Sequence, residues 1–260
     1  MSFSQEKPSR ELQNLRTNLL EIGVAAEQAV ADSLHSFLNR DLDLAASIVL
    51  QDDAIDKLGT NIEARCLGLL AIQQPRASDL RLLGSALKMA TDLEQVGDHA
   101  VAIAQIASQL NMDIRSQAKD KITKLGCKAQ EILHGTLEAF GAHDLLAADR
   151  IIAEASIINR LYAGIQIEVQ NSIGRNPASA FRAYHLGFAA YHIERICSHC
   201  IEIAKRVEFI EAGRQKGKQG REPSMYVSIN MPIVYSHLTP SDLSEDEEET
   251  LLQRKWTEKN

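Results

Sequence analysis

The sequence contains no apolar run that approaches the roughly eighteen residues of a membrane-spanning helix. Its N-terminal stretch also lacks an apolar core, so we expect no signal peptide. A formal net charge of −7 argues against general nucleic-acid binding, which needs a concentrated basic surface. Together, these absences predict a cytoplasmic protein that does not bind nucleic acid.

Signatures of catalysis are also missing from the sequence. There is no glycine-rich phosphate loop and no serine or cysteine triad signature. A ferritin-like di-iron oxidase needs a Glu-x-x-His motif on two helices, and only Glu131 and His134 have that spacing. The four cysteines lie inside helical patterns, and without export we expect them to be reduced thiols. We therefore expect no enzymatic activity.

The six prolines are confined to the chain ends and to two joints, at Pro75 and Pro177. The β-branched alternation that is typical of strands is absent before residue 225. Elsewhere, apolar residues recur at three- and four-residue steps, with Asp41 placed as the N-cap of a second helix. The sequence therefore predicts an all-α fold whose first helices cover residues 9–40, 42–72 and 77–110.

The second hundred residues repeat the pattern of the first. A shift of 103 residues aligns Asp41 with Asp144, and after the second proline joint a shift of 100 aligns His99 with His199. A register that continues across helices indicates an internal duplication, and three antiparallel helices with short connections fit a bundle. We predict two tandem three-helix bundles, which occupy residues 1–112 and 113–212.

The composition changes from Gly213 onward. A basic segment leads into an apolar block over residues 225–235, and an acidic run follows over residues 245–249. Such blocks are typical of flexible chain and cannot build a core of their own at this length. We predict that residues 213–260 form a flexible tail that is dispensable for folding, and that its apolar block packs against a bundle or a partner.

Two acidic pairs stand out within the first bundle. Glu94 and Asp98 are four residues apart, nearly opposite the apolar stripe of their helix, and no basic neighbour relieves their repulsion. Asp52 and Asp56 form a similar pair on the preceding helix, and both pairs lie about equally far from the joint at Pro75. Four level carboxylates would suit a hard or borderline cation, whereas the simpler alternative is two solvated helix faces.

The second bundle has lost most of these acids. Ala155, Asn159 and Ser198 stand where the first repeat has Asp52, Asp56 and Asp98, while Glu194 retains the carboxylate of Glu94. The apolar positions persist although the acids do not, which is expected if the acids serve a function separable from folding. We predict that an equivalent metal site in the second bundle is absent or weak.

Histidines are concentrated in the last helix of the second bundle. His185, His192 and His199 follow one another at seven-residue steps, which places neighbours about 10.5 Å apart along a helix. That distance is too great for the three to share one ion directly. Ordinary packing and surface histidines are the favoured interpretation, and a zinc site completed by a neighbouring helix is the alternative.

The segments 74–81 (QPRASDLR) and 92–100 (DLEQVGDHA) make the sequence resemble the PhoU family over about residues 9–212. The resemblance implies two three-helix bundles, with metal clusters bound at acidic motifs that correspond here to Asp52, Asp56, Glu94 and Asp98. The bound ion would be divalent or ferric, namely Mg, Mn, Fe or Zn. The departures in the second bundle weaken the case for a second cluster.

The resemblance also implies a role in phosphate regulation. It describes a cytoplasmic negative regulator of phosphate uptake and of phosphate-starvation signalling. The implied partners are the ATPase of the phosphate transporter, a sensor histidine kinase and a second copy of the chain, so the protein would meet the membrane only through its partners. The alternatives are a metal-storage protein or metal-dependent enzyme on a helical bundle, and a dimeric scaffold whose acids are idle.

Overall fold

Seven α-helices make up the part of the chain that the computed structural model describes, which covers residues 10–72, 75–109, 116–175 and 180–213. The helices are α1 (Arg10–Asn39), α2 (Leu42–Ile72), α3 (Ala77–Gln109), α4 (Ser116–Ala142), α5 (Leu145–Ala153), α6 (Ala155–Arg175) and α7 (Ala180–Ala212). The three helices predicted for the first bundle are confirmed to within one residue at each end. None of the described helices is long and apolar enough to cross a membrane.

The second bundle differs from the first in one helix. The residues equivalent to α2 form two helices, α5 and α6, which are separated by a turn at Glu154. There the Glu154 N–H donates to Ile151 O at 3.1 Å, and the Ile157 N–H donates to Glu154 O at 2.9 Å. These three-residue steps tighten the backbone locally and interrupt the α-helical ladder. The Glu154 carboxylate lies 3.4 Å from Lys128 Nζ of α4.

The joints between the first two helices of each repeat have the same construction. Arg40 and His143, which the 103-residue shift aligns, both adopt left-handed φ values, of 57° and 58°. The next residue in each repeat caps the following helix: Leu44 N–H donates to Asp41 Oδ1 at 3.0 Å, and Asp144 Oδ1 accepts from two backbone N–H groups. Asp41 is therefore confirmed as an N-cap, and the duplication extends to the detail of its turns.

Helices α3 and α7 contact each other, and each also packs against the other helices of its own bundle. On α3 the predicted apolar stripe is at most 2% exposed, and it consists of Leu93, Val96, Ala100, Ile103 and Ala107. The equivalent positions of α7, shifted by 100 residues, are also buried, among them Ile193, Ile196, Cys200, Ile203 and Val207. The predicted all-α duplicated fold is confirmed in the described residues.

The two bundles pack with an approximate two-fold relation along α1 and α4. A Cβ atom placed on Gly23 would lie 3.1 Å from Leu137 Cδ1, and one placed on Gly126 would lie 3.2 Å from Leu34 Cδ1. The 103-residue shift turns the first contact into the second, because it carries Gly23 to Gly126 and Leu34 to Leu137. The glycines allow the helices to approach closely. The predicted tail beyond Gly213 lies outside the described residues.

Candidate functional site

Helices α2 and α3 run antiparallel and place their acidic residues at one height. A Cβ atom placed on Gly97 of α3 would lie 3.0 Å from Ile55 Cδ1 of α2. This close approach fixes the register between the helices, so that Asp56, the neighbour of Ile55, lies level with Asp98, the neighbour of Gly97. The acidic residues of the two helices therefore share one face of the first bundle.

Glu94 lies directly over the backbone of α2. A Cβ atom placed on Gly59 would lie 2.9 Å from Glu94 Cγ and 2.5 Å from Glu94 Cδ, within distances that real Cβ atoms essentially never show. Gly59 is buried, and its missing side chain leaves the space that the Glu94 carboxylate occupies. The glycine thus forms a cradle that holds one carboxylate, half-buried, between two helices.

The acids of this face repel one another. The pKa of Glu94 is raised above its ordinary value, first by burial and then by the nearby charges of Asp56, Asp98 and Glu63. The pKa of Asp98 is also raised, by burial and by Asp56, while the charge of His199 partly opposes that shift. The charge of Asp56 therefore acts on both Glu94 and Asp98, and a bound cation would oppose that repulsion.

The candidate ligands are carboxylate oxygens, which suit an oxygen-preferring cation. They share one face of the bundle, and Glu94 is held there by the Gly59 cradle. Their side chains are not already gathered around one point: within the described residues no three histidine, cysteine or acidic side chains are arranged to hold a metal ion. The fourth predicted ligand, Asp52, belongs to α2, but its side chain lies outside the described part. The four-residue metal site therefore remains a prediction.

Histidines of α3 and α7 form a cluster between the two bundles. His99 Nδ1 lies 3.1 Å from His192 Nδ1, and the two ring centroids are 5.2 Å apart. His199 Nδ1 lies 2.9 Å from Asp92 Oδ1, and its ring centroid is 5.5 Å from that of His99. His185 stands apart from this cluster and lies within hydrogen-bonding distance of Gln109 Oε1.

Burial keeps the centre of this cluster uncharged. The pKa of His99 is lowered to about 4, first by burial and then by the neighbouring charges of His192, His199 and Arg195. Burial also lowers the pKa of His192. A neutral imidazole suits a packed interior and a zinc ligand alike, so both interpretations of the histidines stay predictions. The sequence pattern did not predict that His192 and His199 would lie beside His99 of α3. The alignment of His99 with His199 in the duplication could have indicated this contact.

Comparison with known proteins agrees with this architecture. The family model described as "PhoU domain" matches residues 19–107 and 122–207, one match in each bundle. The accessory protein PhoU homolog of the phosphate-specific transport system from Pseudomonas aeruginosa is 30% identical over 204 residues, which are 78% of this chain and 84% of that protein. The Caulobacter vibrioides homolog is 31% identical over 210 residues, with 80% and 91% covered.

Two solved structures share the fold over most of the described helices. The crystal structure of PhoU from Pseudomonas aeruginosa has a TM-score of 0.76 and 30% identity, and the match covers 78% of this chain and 98% of that one. The phosphate transport system regulatory protein PhoU from Streptococcus pneumoniae has a TM-score of 0.73 and 25% identity, with 79% and 97% covered. With a domain match in both repeats and relatives matched over most of their length, this chain belongs to the PhoU family.

Proposed function

We propose that this protein is a cytoplasmic negative regulator of phosphate uptake and of phosphate-starvation signalling. It acts as a homodimer, by binding rather than by turnover, and its partners are the ATPase of the phosphate transporter and a sensor histidine kinase. The observation that carries the proposal is the PhoU domain match in both repeats. The names of the relatives support it, because they describe accessory and regulatory proteins of phosphate transport.

The acidic face of the first bundle is the proposed metal-dependent part of this activity. Asp52, Asp56, Glu94 and Asp98 would hold a divalent or ferric ion. The bound ion supplies positive charge that relieves their repulsion. The raised pKa values of Glu94 and Asp98 and the cradle at Gly59 support this assignment. A helix face that changes its charge on binding an ion can present different surfaces to a partner in the two states.

A complementation experiment tests the function and the role of the metal separately. Deleting the gene from its host should switch on a starvation-gene reporter in phosphate-rich medium, and the wild-type gene should silence it again. The Glu94→Gln/Asp98→Asn variant should fold but fail to silence the reporter. Glu21→Gln removes an exposed acid of α1, a helix that contributes none of the four proposed ligands, and is the matched control that should behave as wild type.

The possible outcomes distinguish the two parts of the proposal. A deletion strain whose reporter stays silent in rich medium would refute the regulatory role. A double variant that silences the reporter as well as wild type does would leave the regulatory role intact but refute its dependence on the acidic face. A pull-down from phosphate-replete cells should recover the transporter ATPase with wild type and less of it with the double variant.

A further inference from the structure

The second bundle contains a charged cluster at the place where the first bundle has its acidic face. Glu194, the repeat equivalent of Glu94, is buried, with 7% of its surface exposed. Arg195 Nε donates to Glu194 Oε2 at 2.7 Å, and Arg195 Nη2 donates to Glu194 Oε1 at 2.8 Å. This is a bidentate pair, the strongest common arrangement between a guanidinium and a carboxylate.

Ser198 completes the arrangement around the carboxylate. Its hydroxyl donates to Glu194 Oε1 at 2.9 Å and accepts from Arg195 Nη2 at 3.2 Å. Ser198 stands at the position of Asp98 in the first repeat. The charged carboxylate of a proposed metal ligand is therefore replaced by a neutral hydroxyl, which bonds to both Glu194 and Arg195. The guanidinium also lies over the ring of Tyr191, 5.8 Å from its centroid.

The facing helix has changed in the same direction. Asn159 stands at the position of Asp56, and Gln166 at that of Glu63, so both acids that raise the pKa of Glu94 from α2 are neutral amides here. Tyr162 stands at the position of Gly59, which removes the cradle. Tyr162 lies close enough to Glu194 and Arg195 for both charges to influence its pKa, which burial raises.

Arg195 supplies a positive charge that the first bundle lacks at the equivalent position. The residue equivalent to Arg195 is Gln95, whose amide Nε2 donates to Asp98 Oδ2 at 3.0 Å in the first bundle. The second bundle therefore combines one carboxylate with one guanidinium at the place where the first bundle gathers several unneutralised acids. A buried carboxylate needs such a partner, because an ionised group left alone out of water is strongly destabilising.

We infer that Arg195 is a built-in cation that takes the place of a metal ion in the second bundle, so that metal loading is a property of the first bundle alone. The residues at the equivalent positions of the second bundle do not fit a metal: the one retained carboxylate, Glu194, is already bound to a protein cation, and the other three positions carry no acid. The inference rests on the proposed function, because it assumes that the acidic face of the first bundle binds an ion.

Equilibrium dialysis of the full chain against Mn²⁺, followed by elemental analysis, tests the assignment. Glu194→Gln should retain the wild-type Mn²⁺ content, whereas Glu94→Gln/Asp98→Asn should lose it. If Glu94→Gln/Asp98→Asn keeps its Mn²⁺ and loses it only when Glu194→Gln is added, the inference is overturned while the proposed metal function stands. A wild type that binds no Mn²⁺ would overturn the proposed metal function and the first-bundle assignment with it.

Thermal unfolding in the presence of a chelator tests the role of Arg195 without any metal. Arg195→Gln should lower Tm by several degrees, because it leaves a buried carboxylate without its cation. Glu194→Gln/Arg195→Gln should recover part of that loss, since neither charge is then left alone. Arg195→Lys, which keeps the charge but not the bidentate geometry, should fall in between. Additive losses in the double variant would overturn the pairing.

Discussion

Replacing Gly59 with alanine should separate the stability of the protein from its metal binding. The Cβ atom that this substitution adds would lie 2.5 Å from Glu94 Cδ, whereas ordinary van der Waals contact begins at 3.4 Å. The carboxyl carbon of Glu94 must therefore retreat by about 1 Å, far enough to leave a coordination position. Only the far end of a flexible side chain has to move, so the backbone of α2 can stay in place.

The expected effect on stability is neutral or favourable. Glycine inside a helix costs about 0.5–1 kcal/mol relative to alanine, which corresponds to about 2–4 °C or less in Tm for a chain of this size. Displacing Glu94 towards water also relieves part of the repulsion that raises its pKa. The expected effect on metal is a loss: misplacing one ligand should weaken Mn²⁺ binding by about tenfold or more.

Gly68→Ala is the matched control, because Gly68 lies in the same helix and a Cβ atom placed there meets nothing within 4 Å. It should gain the same helix stability and bind Mn²⁺ as wild type. The assay is thermal unfolding in a chelator, paired with Mn²⁺ titration by calorimetry. Wild-type Mn²⁺ affinity in Gly59→Ala would refute Glu94 as a ligand held by the cradle. A lower Tm than wild type would show that the clash moves the backbone.

Further predictions concern the acids, a buried histidine and the tail. In a chelator, Glu94→Gln should have a higher Tm than wild type above about pH 4.5, the ordinary pKa of the group. The native protein raises the pKa of Glu94, so wild type loses stability as this carboxylate ionises, and the difference in Tm should vanish in stronger acid. When the pH falls below about 6.5, the Tm of His192→Phe should fall less than the Tm of wild type, which a series of melts against pH would show. Burial lowers the pKa of His192, so in wild type the unfolded chain takes up a proton that the native chain does not. A chain ending at Gly213 should keep its helical circular-dichroism signal and a cooperative melt, and aggregation or lost helicity would place the apolar block 225–235 in the core.

The helices and the duplication were predictable because the core imposes a regular apolar period on the sequence. The stripe on α3 and its repeat on α7 are buried as that period requires. The break at Glu154 was not predictable, because it is a local turn of the backbone and the apolar alignment runs through it without a gap. Periodicity reports which face is buried, and it does not report whether the backbone along that face is continuous.

The acidic face was predictable in its position but not in its construction. The two pairs could be placed level by counting residues from Pro75, and the register at Gly97 and Ile55 agrees with that count. The role of Gly59 could not be read from the sequence, because a glycine inside a helix signals only a lower helix propensity. The bidentate hold of Arg195 on Glu194 was equally hidden, since adjacent residues on a helix do not normally face each other.

The two halves differ in charge where they agree in packing. The contact between His99 and His192 is the repeat equivalent of the contact between His199 and Asp92, so the same pair of positions carries an imidazole in one half and a carboxylate in the other. The apolar approaches of Gly23 and Gly126 to leucines of the opposite bundle are kept in both halves. A requirement of folding would act on both halves alike. We therefore expect a difference that follows charge, while the apolar contacts persist, if an ion or a partner meets only one half of the molecule.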